Sequence, residues 1–190
     1  METVTLTAPG KPEAQKLWTA EEFFYHPLSA NCELVRGRIV SVRLSSYEHG
    51  VVALKLGRLI GNFVAEHQLG DVLGAETGFT IHTDPDTVRA PDIAFVAGAR
   101  RPASPQGFVR LAPDLVVEVA SPHDQADEIQ AKVEEFLSAG TKMVWVVYPK
   151  TRSVAVYRSL HDVKILRGDD ALSGEDVLPG FERKVNEIFE

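Results

Sequence analysis

A chain of 190 residues, 44% hydrophobic and 25% charged, has the size and composition of one globular domain with a sizeable core. Its formal net charge of −7 opposes nonspecific adsorption to nucleic acid, so a polyanionic partner requires a local basic surface or a bound cation. No apolar run reaches the ~20 residues that span a bilayer. The stretch METVTLTAPGKPEAQK also lacks the apolar region of a signal peptide, so a cytoplasmic location is the expectation.

Residues 1–16, rich in Thr, Pro, Gly and Lys, read as a mobile tail, leaving 17–190 as a single domain. A short helix is predicted near Trp18: Thr19 and Glu22 have capping-box spacing, Phe23 and Phe24 follow as core residues, and Pro27 ends it. CELVRGRIVSVRLS then reads as a β-hairpin turning at Arg36-Gly37. Val52, Leu56, Leu59, Ile60 and Phe63 recur at the helical period between His49 and His67, with Gly70 as the stop. Strands are predicted over 71–73, 78–82 and 89–96. A Pro/Gly/Ser-rich loop follows with Arg100, Arg101 and Arg110; with Arg89 just before, it is the best local basic patch. A strand at 114–120 leads to a helix from Ser121-Pro122 through Ala139, stopped by Gly140. TKMVWVVYP and RSVAVYRS make a pair of strands, VKILRGDD adds another, and a terminal helix follows Pro179-Gly180. The strand–helix–strand unit over 114–148 implies a parallel pair within a mixed sheet, hence an α/β or α+β domain with helices on both faces.

One residue breaks this pattern. Glu118 stands inside the apolar run Leu115, Val116, Val117, Val119, Ala120, where an unmet carboxylate costs several kcal/mol. Asp92, after Pro91, opens the strand of Ile93 to Val96. If the two strands are neighbours, the carboxylates converge and repel unless they share a proton or a divalent cation. Oxygen donors suit Mg²⁺ or Mn²⁺. Lys132 lies on the flank of the helical stripe Ile129, Val133, Phe136, Leu137, and its stem is long enough to bring an ammonium near Glu118. Cys32 is the one cysteine, and the six histidines show no zinc-ligand spacing.

The string ELVRGRIV, HG, APDIAFV and PDLVVEVASPHDQADEIQAKVEEFLSAGTKMVWVVYP resembles the Uma2 family, also called DUF820, over residues 19–157 and weakly into VLPGFERKVNEIF. That family is placed among the PD-(D/E)XK nucleases, with the restriction-endonuclease-like fold. The resemblance implies a mixed β-sheet flanked by helices and a metal-dependent endonuclease, with Asp92 and Glu118 as acidic ligands of Mg²⁺ or Mn²⁺. It implies too that the Val119 carbonyl faces the metal and that Lys132 orients the attacking water. Glu33, in ELVRG, matches an acidic position that serves as an extra ligand or base. The superfamily's lysine two residues after the glutamate is missing, since Ala120 stands there; Lys132 on the next helix takes its place. The implied substrate is nucleic acid, DNA first, and analogy with restriction enzymes implies a homodimer, for which Trp18, Phe23 and Phe24 offer an apolar face.

Each residue also has a plainer reading. Glu118 could pair with an arginine in a structural salt bridge, Asp92 could cap a turn, and Lys132 could be solvated on its helix. His49 fits either a substrate contact or a helix start. His123 and Asp124 read as caps of the crossover helix, and Asp127, Glu128, Glu134 and Glu135 as its solvated face. At the level of function, the alternative is a catalytically inactive module on the same fold that binds nucleic acid or a protein. The net charge and Ala120 favour it.

Overall fold

The computed structural model describes residues 16–103 and 106–190; all but the last residue of the expected N-terminal tail lies outside them. Helix α1 (Ala20–Phe24) is short and held by its cap. The Thr19 side chain accepts from the Glu22 N–H while the Glu22 carboxylate accepts from the Thr19 N–H, the capping box expected from the spacing. Phe23 is 1% exposed, but Phe24 is 40% exposed and makes edge contacts with Tyr25 and Phe108. A five-residue helix has one inward face, so two adjacent phenylalanines cannot both be core. The apolar face expected to serve a dimer therefore loses Phe23 to the interior.

Strands β1 (Cys32–Val35) and β2 (Arg38–Ser41) form the expected hairpin. Its two turn residues, Arg36 and Gly37, have φ of 49° and 74°, the paired left-handed conformations of a turn that matches strand twist. Helix α2 (Tyr47–Glu66) buries His49, Val52, Leu56, Ile60 and Val64 along one stripe. It ends before Gly70, which instead opens strand β3 (Gly70–Gly74).

Strand β4 (Phe79–His82) pairs with β5 (Thr87–Arg89), and β6 (Ile93–Ala97) follows. The single strand expected over 89–96 is thus two strands in two different sheets. Pro91 has no N–H for a ladder, and the Ala90 N–H donates to the Glu33 carboxylate rather than to a strand. The chain crosses between sheets at that break. Strand β7 (Leu115–Val119) is joined to β8 (Met143–Tyr148) by helix α3 (Ala126–Ser138). That helix starts later than Ser121-Pro122, because the Ser121 N–H donates to Asp124 Oδ2 and closes a turn. Gln125, not His123 or Asp124, is the N-cap.

Strands β9 (Ser153–Ser159) and β10 (Asp162–Arg167) form a hairpin, and β11 (Ala171–Ser173) pairs with β12 (Glu182–Lys184). The expected terminal helix is therefore a strand followed by a shorter helix, α4 (Val185–Phe189).

The main sheet has the order β10-β9-β8-β7-β6-β3, with β7 and β8 parallel and every other neighbouring pair antiparallel. The predicted crossover and mixed sheet are both present. On one face, Ile93, Phe95, Val117 and Trp145 pack with Leu56, Ile60, Val185 and Ile188 of α2 and α4. On the other, Ala94, Val116, Val144 and Val146 pack with Val133 and Phe136 of α3. The smaller sheet, β2-β1-β5-β4, is covered by Ala20 and Phe23. Among the described residues, no helix is long and apolar enough to cross a membrane.

Candidate active site

Strand alternation decides where Glu118 points. Val116 belongs to the cluster beneath α3, and Glu118, two residues on, shares that face. In the antiparallel pairing of β6 with β7, Ile93 lies opposite Val117. One step further places Asp92 beside Glu118, at the end of β7. Asp92 stands just before β6, where its side chain is placed by the Val119 N–H and by His49 of α2.

Helix α3 brings the cation. Val133 and Phe136 bury its stripe, and Lys132, one position before Val133, reaches Glu118: Nζ donates to Oε2 at 3.2 Å. The same ammonium is 3.8 Å from Glu33 Oε1. The Glu118 side chain is 12% exposed, and its Oε1 is buried without a protein hydrogen-bond partner. Burial pushes its pKa from 4.5 up to about 7, against the pull of Lys132 and with help from the charges of Asp92 and Glu33. Burial opposes the Lys132 charge too, but Glu118 and Glu33 outweigh it and hold that ammonium protonated.

Asp92 is held at both oxygens. Oδ2 accepts from the Val119 N–H at 2.7 Å, and Oδ1 lies 3.1 Å from His49 Nε2. The other ring nitrogen of His49 is 3.2 Å from Ser121 Oγ, so Ser121, His49 and Asp92 form one chain of hydrogen bonds. The bond to Asp92 is the main reason the His49 pKa is raised, against a smaller loss from burial. His49 is buried, and its place on the inward stripe of α2 brings it here. It is both a helix-start residue and part of the site.

Glu33 is engaged in a different way from the expected ligand. Oε2 accepts from Arg89 Nη1 at 2.7 Å and Oε1 from the Ala90 N–H at 3.0 Å. Arg89 turns its other donors to Glu135 Oε2, also at 2.7 Å. Arg89 is therefore a buried clamp between the small sheet and α3, and Glu135 is part of it, not of a solvated face. Neither residue stood out in the sequence as belonging to the site, because their partners lie far away along the chain. Three of the four arginines of the expected basic patch, Arg89, Arg100 and Arg101, are taken up in ion pairs. Arg100 is paired with Asp114 and Arg101 with Asp71, both beyond the far end of β6 from Asp92.

Glu33, Asp92, Glu118 and Glu135 outnumber Lys132 and Arg89. Among the described residues, no three His, Cys, Asp or Glu side chains are drawn together in a metal-holding group. Two carboxylates are nevertheless enough for Mg²⁺, which keeps several waters. The unpartnered Oε1 of Glu118 fits such an ion, as does the surplus of negative charge. Glu33, Arg89, Asp92, Glu118 and Lys132 line a cleft of about 490 Å³.

Comparison with known proteins identifies the family and the fold. The family model Uma2, described as "putative restriction endonuclease", matches residues 20–186. The chain belongs to the Uma2 family. No curated protein matches it. A crystal structure described as a "putative nuclease belonging to DUF820" from Anabaena variabilis superposes with a TM-score of 0.78 at 20% identity. It covers 90% of this chain and 97% of that one. The Uma2 domain and that protein share a fold, a mixed α and β architecture with helices flanking the sheets.

Proposed function

We propose that this Uma2 protein hydrolyses phosphodiester bonds of nucleic acid at the cleft floored by Glu118, with Mg²⁺ or Mn²⁺ as cofactor. The observation that carries the reading is the Lys132 ammonium, 3.2 Å from a buried, half-satisfied carboxylate that has Asp92 beside it. In this reading Asp92, Glu118 and the Val119 carbonyl hold the ion. Supporting this, the Val119 N–H already points to Asp92, and a residue's C=O leaves a strand on the same edge as its N–H. When bound, the ion polarises the phosphate and lowers the pKa of a coordinated water. Lys132 orients the attacking water and offsets charge that builds on the phosphate. Glu33, locked by Arg89 and Ala90, holds Lys132 in place rather than acting as ligand or base. The family and fold support a nuclease-type assignment; the chemistry assigned to each side chain is our reading.

The test is cleavage of DNA and RNA by purified protein with Mg²⁺ or Mn²⁺. Glu118→Gln should abolish it with the fold intact, and Lys132→Met should lower it by about 10²- to 10³-fold, the usual loss of one charge-stabilising donor. Equal cleavage by Glu118→Gln and wild type refutes the assignment. A second reading, a non-catalytic binding module, draws on the fact that both oxygens of Asp92 and of Glu33 already accept hydrogen bonds. It is the outcome if the wild type binds nucleic acid but cuts none with either metal.

A further inference from the structure

The cleft does not end at the carboxylates. A second hollow of about 280 Å³ shares Ser46, Ser121, Pro122 and Ile129 with it and runs past the ends of β7 and β8 to Lys150. Arg43 Nη1 donates to the His123 carbonyl at 2.9 Å, and both residues line the first cleft. The guanidinium therefore ties the segment after β2 to the turn between β7 and α3. One wall is apolar and open: Val40, Val42 and Leu44 are 45%, 51% and 97% exposed. Of the lysines and arginines lining these hollows, Arg89 and Lys132 are in ion pairs. Arg43 and Lys150 have no carboxylate partner among the described residues.

The geometry points to a single-stranded polynucleotide as the occupant of this groove, an inference that rests on the nuclease reading above and narrows its substrate. A duplex hides its base faces and presents two phosphate rails, so it needs a broad basic surface and gains nothing from Val40, Val42 and Leu44. Proteins that read duplex backbones commonly neutralise about six to ten phosphates. Here, among the described residues, two cations without a carboxylate partner line the groove, and the acidic Glu48, Asp124 and Glu128 line it with them. An unpaired strand suits a groove with few cations and an exposed apolar wall. Its backbone threads between Arg43 and Lys150, and its exposed base faces pack on the apolar wall. One strand also needs only one set of carboxylates, so a second copy is not required for the cut.

The test uses labelled oligonucleotides of one sequence: single-stranded DNA, single-stranded RNA and the DNA duplex. Binding is measured with full-length Glu118→Gln, which should not cut, and cleavage by wild type in Mn²⁺ is followed on the same probes. At least one single strand should bind tenfold or more tighter than the duplex and be cut in preference. The slope of log K against log salt should be about −1.4, two phosphates at about 0.7 each. Arg43→Ala and Lys150→Ala should each remove about 0.7 from it. Val42→Ser/Leu44→Ser, at exposed positions where folding is not at stake, should weaken binding several-fold at an unchanged slope. Binding or cutting of the duplex as well as the single strands, or a slope of about −5 or steeper, overturns the inference while leaving the nuclease reading intact. No probe bound and none cut overturns both.

Discussion

Lys132 Nζ lies 3.2 Å from Glu118 Oε2, a contact made across fourteen residues by a strand, a turn and the first half of a helix. It explains how a glutamate survives in the interior of β7. It also leaves Glu118 under tension, since burial holds its pKa at about 7 despite the lysine. The folded carboxyl keeps its proton up to that value, whereas the unfolded one releases it near 4.5. A group whose pKa is raised by folding contributes stability that is complete below the unfolded value and lost as pH rises through the folded one. Glutamine mimics the protonated form. Glu118→Gln should therefore melt close to wild type at pH 4.5 and several degrees higher at pH 8, without divalent cations. A melting-temperature difference that stays flat between those values would mean that Glu118 is not strained.

His49 should titrate above the ordinary histidine value of 6.5, because its hydrogen bond to Asp92 favours the imidazolium. The stability it contributes is complete below pH 6.5 and lost as pH climbs through the raised value. NMR titration of the His49 ring checks this directly. Asp92→Asn should return the midpoint toward 6.5, and an unchanged midpoint would show that another group sets it.

Arg89 should be among the most sensitive positions in the chain. It is buried, and its replacement by methionine leaves Glu135 without its cation and Glu33 with only the Lys132 ammonium at 3.8 Å. Breaking a buried ionic network in this way costs about 3–5 kcal/mol. Lysine at this position should rescue little, because a single ammonium cannot reproduce a forked guanidinium bridging two carboxylates. Arg101→Ala, which breaks an exposed pair with Asp71, should cost about 1 kcal/mol or less. Denaturant unfolding of the three variants compares them on one scale.

Local signals in the sequence proved the most legible. The Thr19–Glu22 cap, the Arg36-Gly37 turn, the inward stripe of α2 and the strand–helix–strand crossover each depend on neighbours within a few residues or turns. The approach of Lys132 to Glu118 was legible for the same reason, since strand alternation and helical spacing carry it. What failed depended on distant partners. The division of 89–96 into β5 and β6 follows from Glu33 claiming the Ala90 N–H, fifty-seven residues away. The burial of Arg89 follows from Glu33 and Glu135, and no pattern around Arg89 reports either. Ser121 and Pro122 looked like a helix start, but the Asp124 side chain competes for the Ser121 N–H and delays the helix to Ala126. That delay leaves Ser121 free to meet His49.

The most direct test of the proposed metal site is calorimetric titration of Mn²⁺ into wild type and into the Asp92→Asn/Glu118→Gln double variant. Mn²⁺ is preferred to Mg²⁺, which dehydrates reluctantly and binds weakly until a phosphate completes its shell. Saturable binding to wild type that vanishes in the folded double variant is the expected result. Equal binding to both proteins, or none to wild type, would contradict a cation held between Asp92 and Glu118.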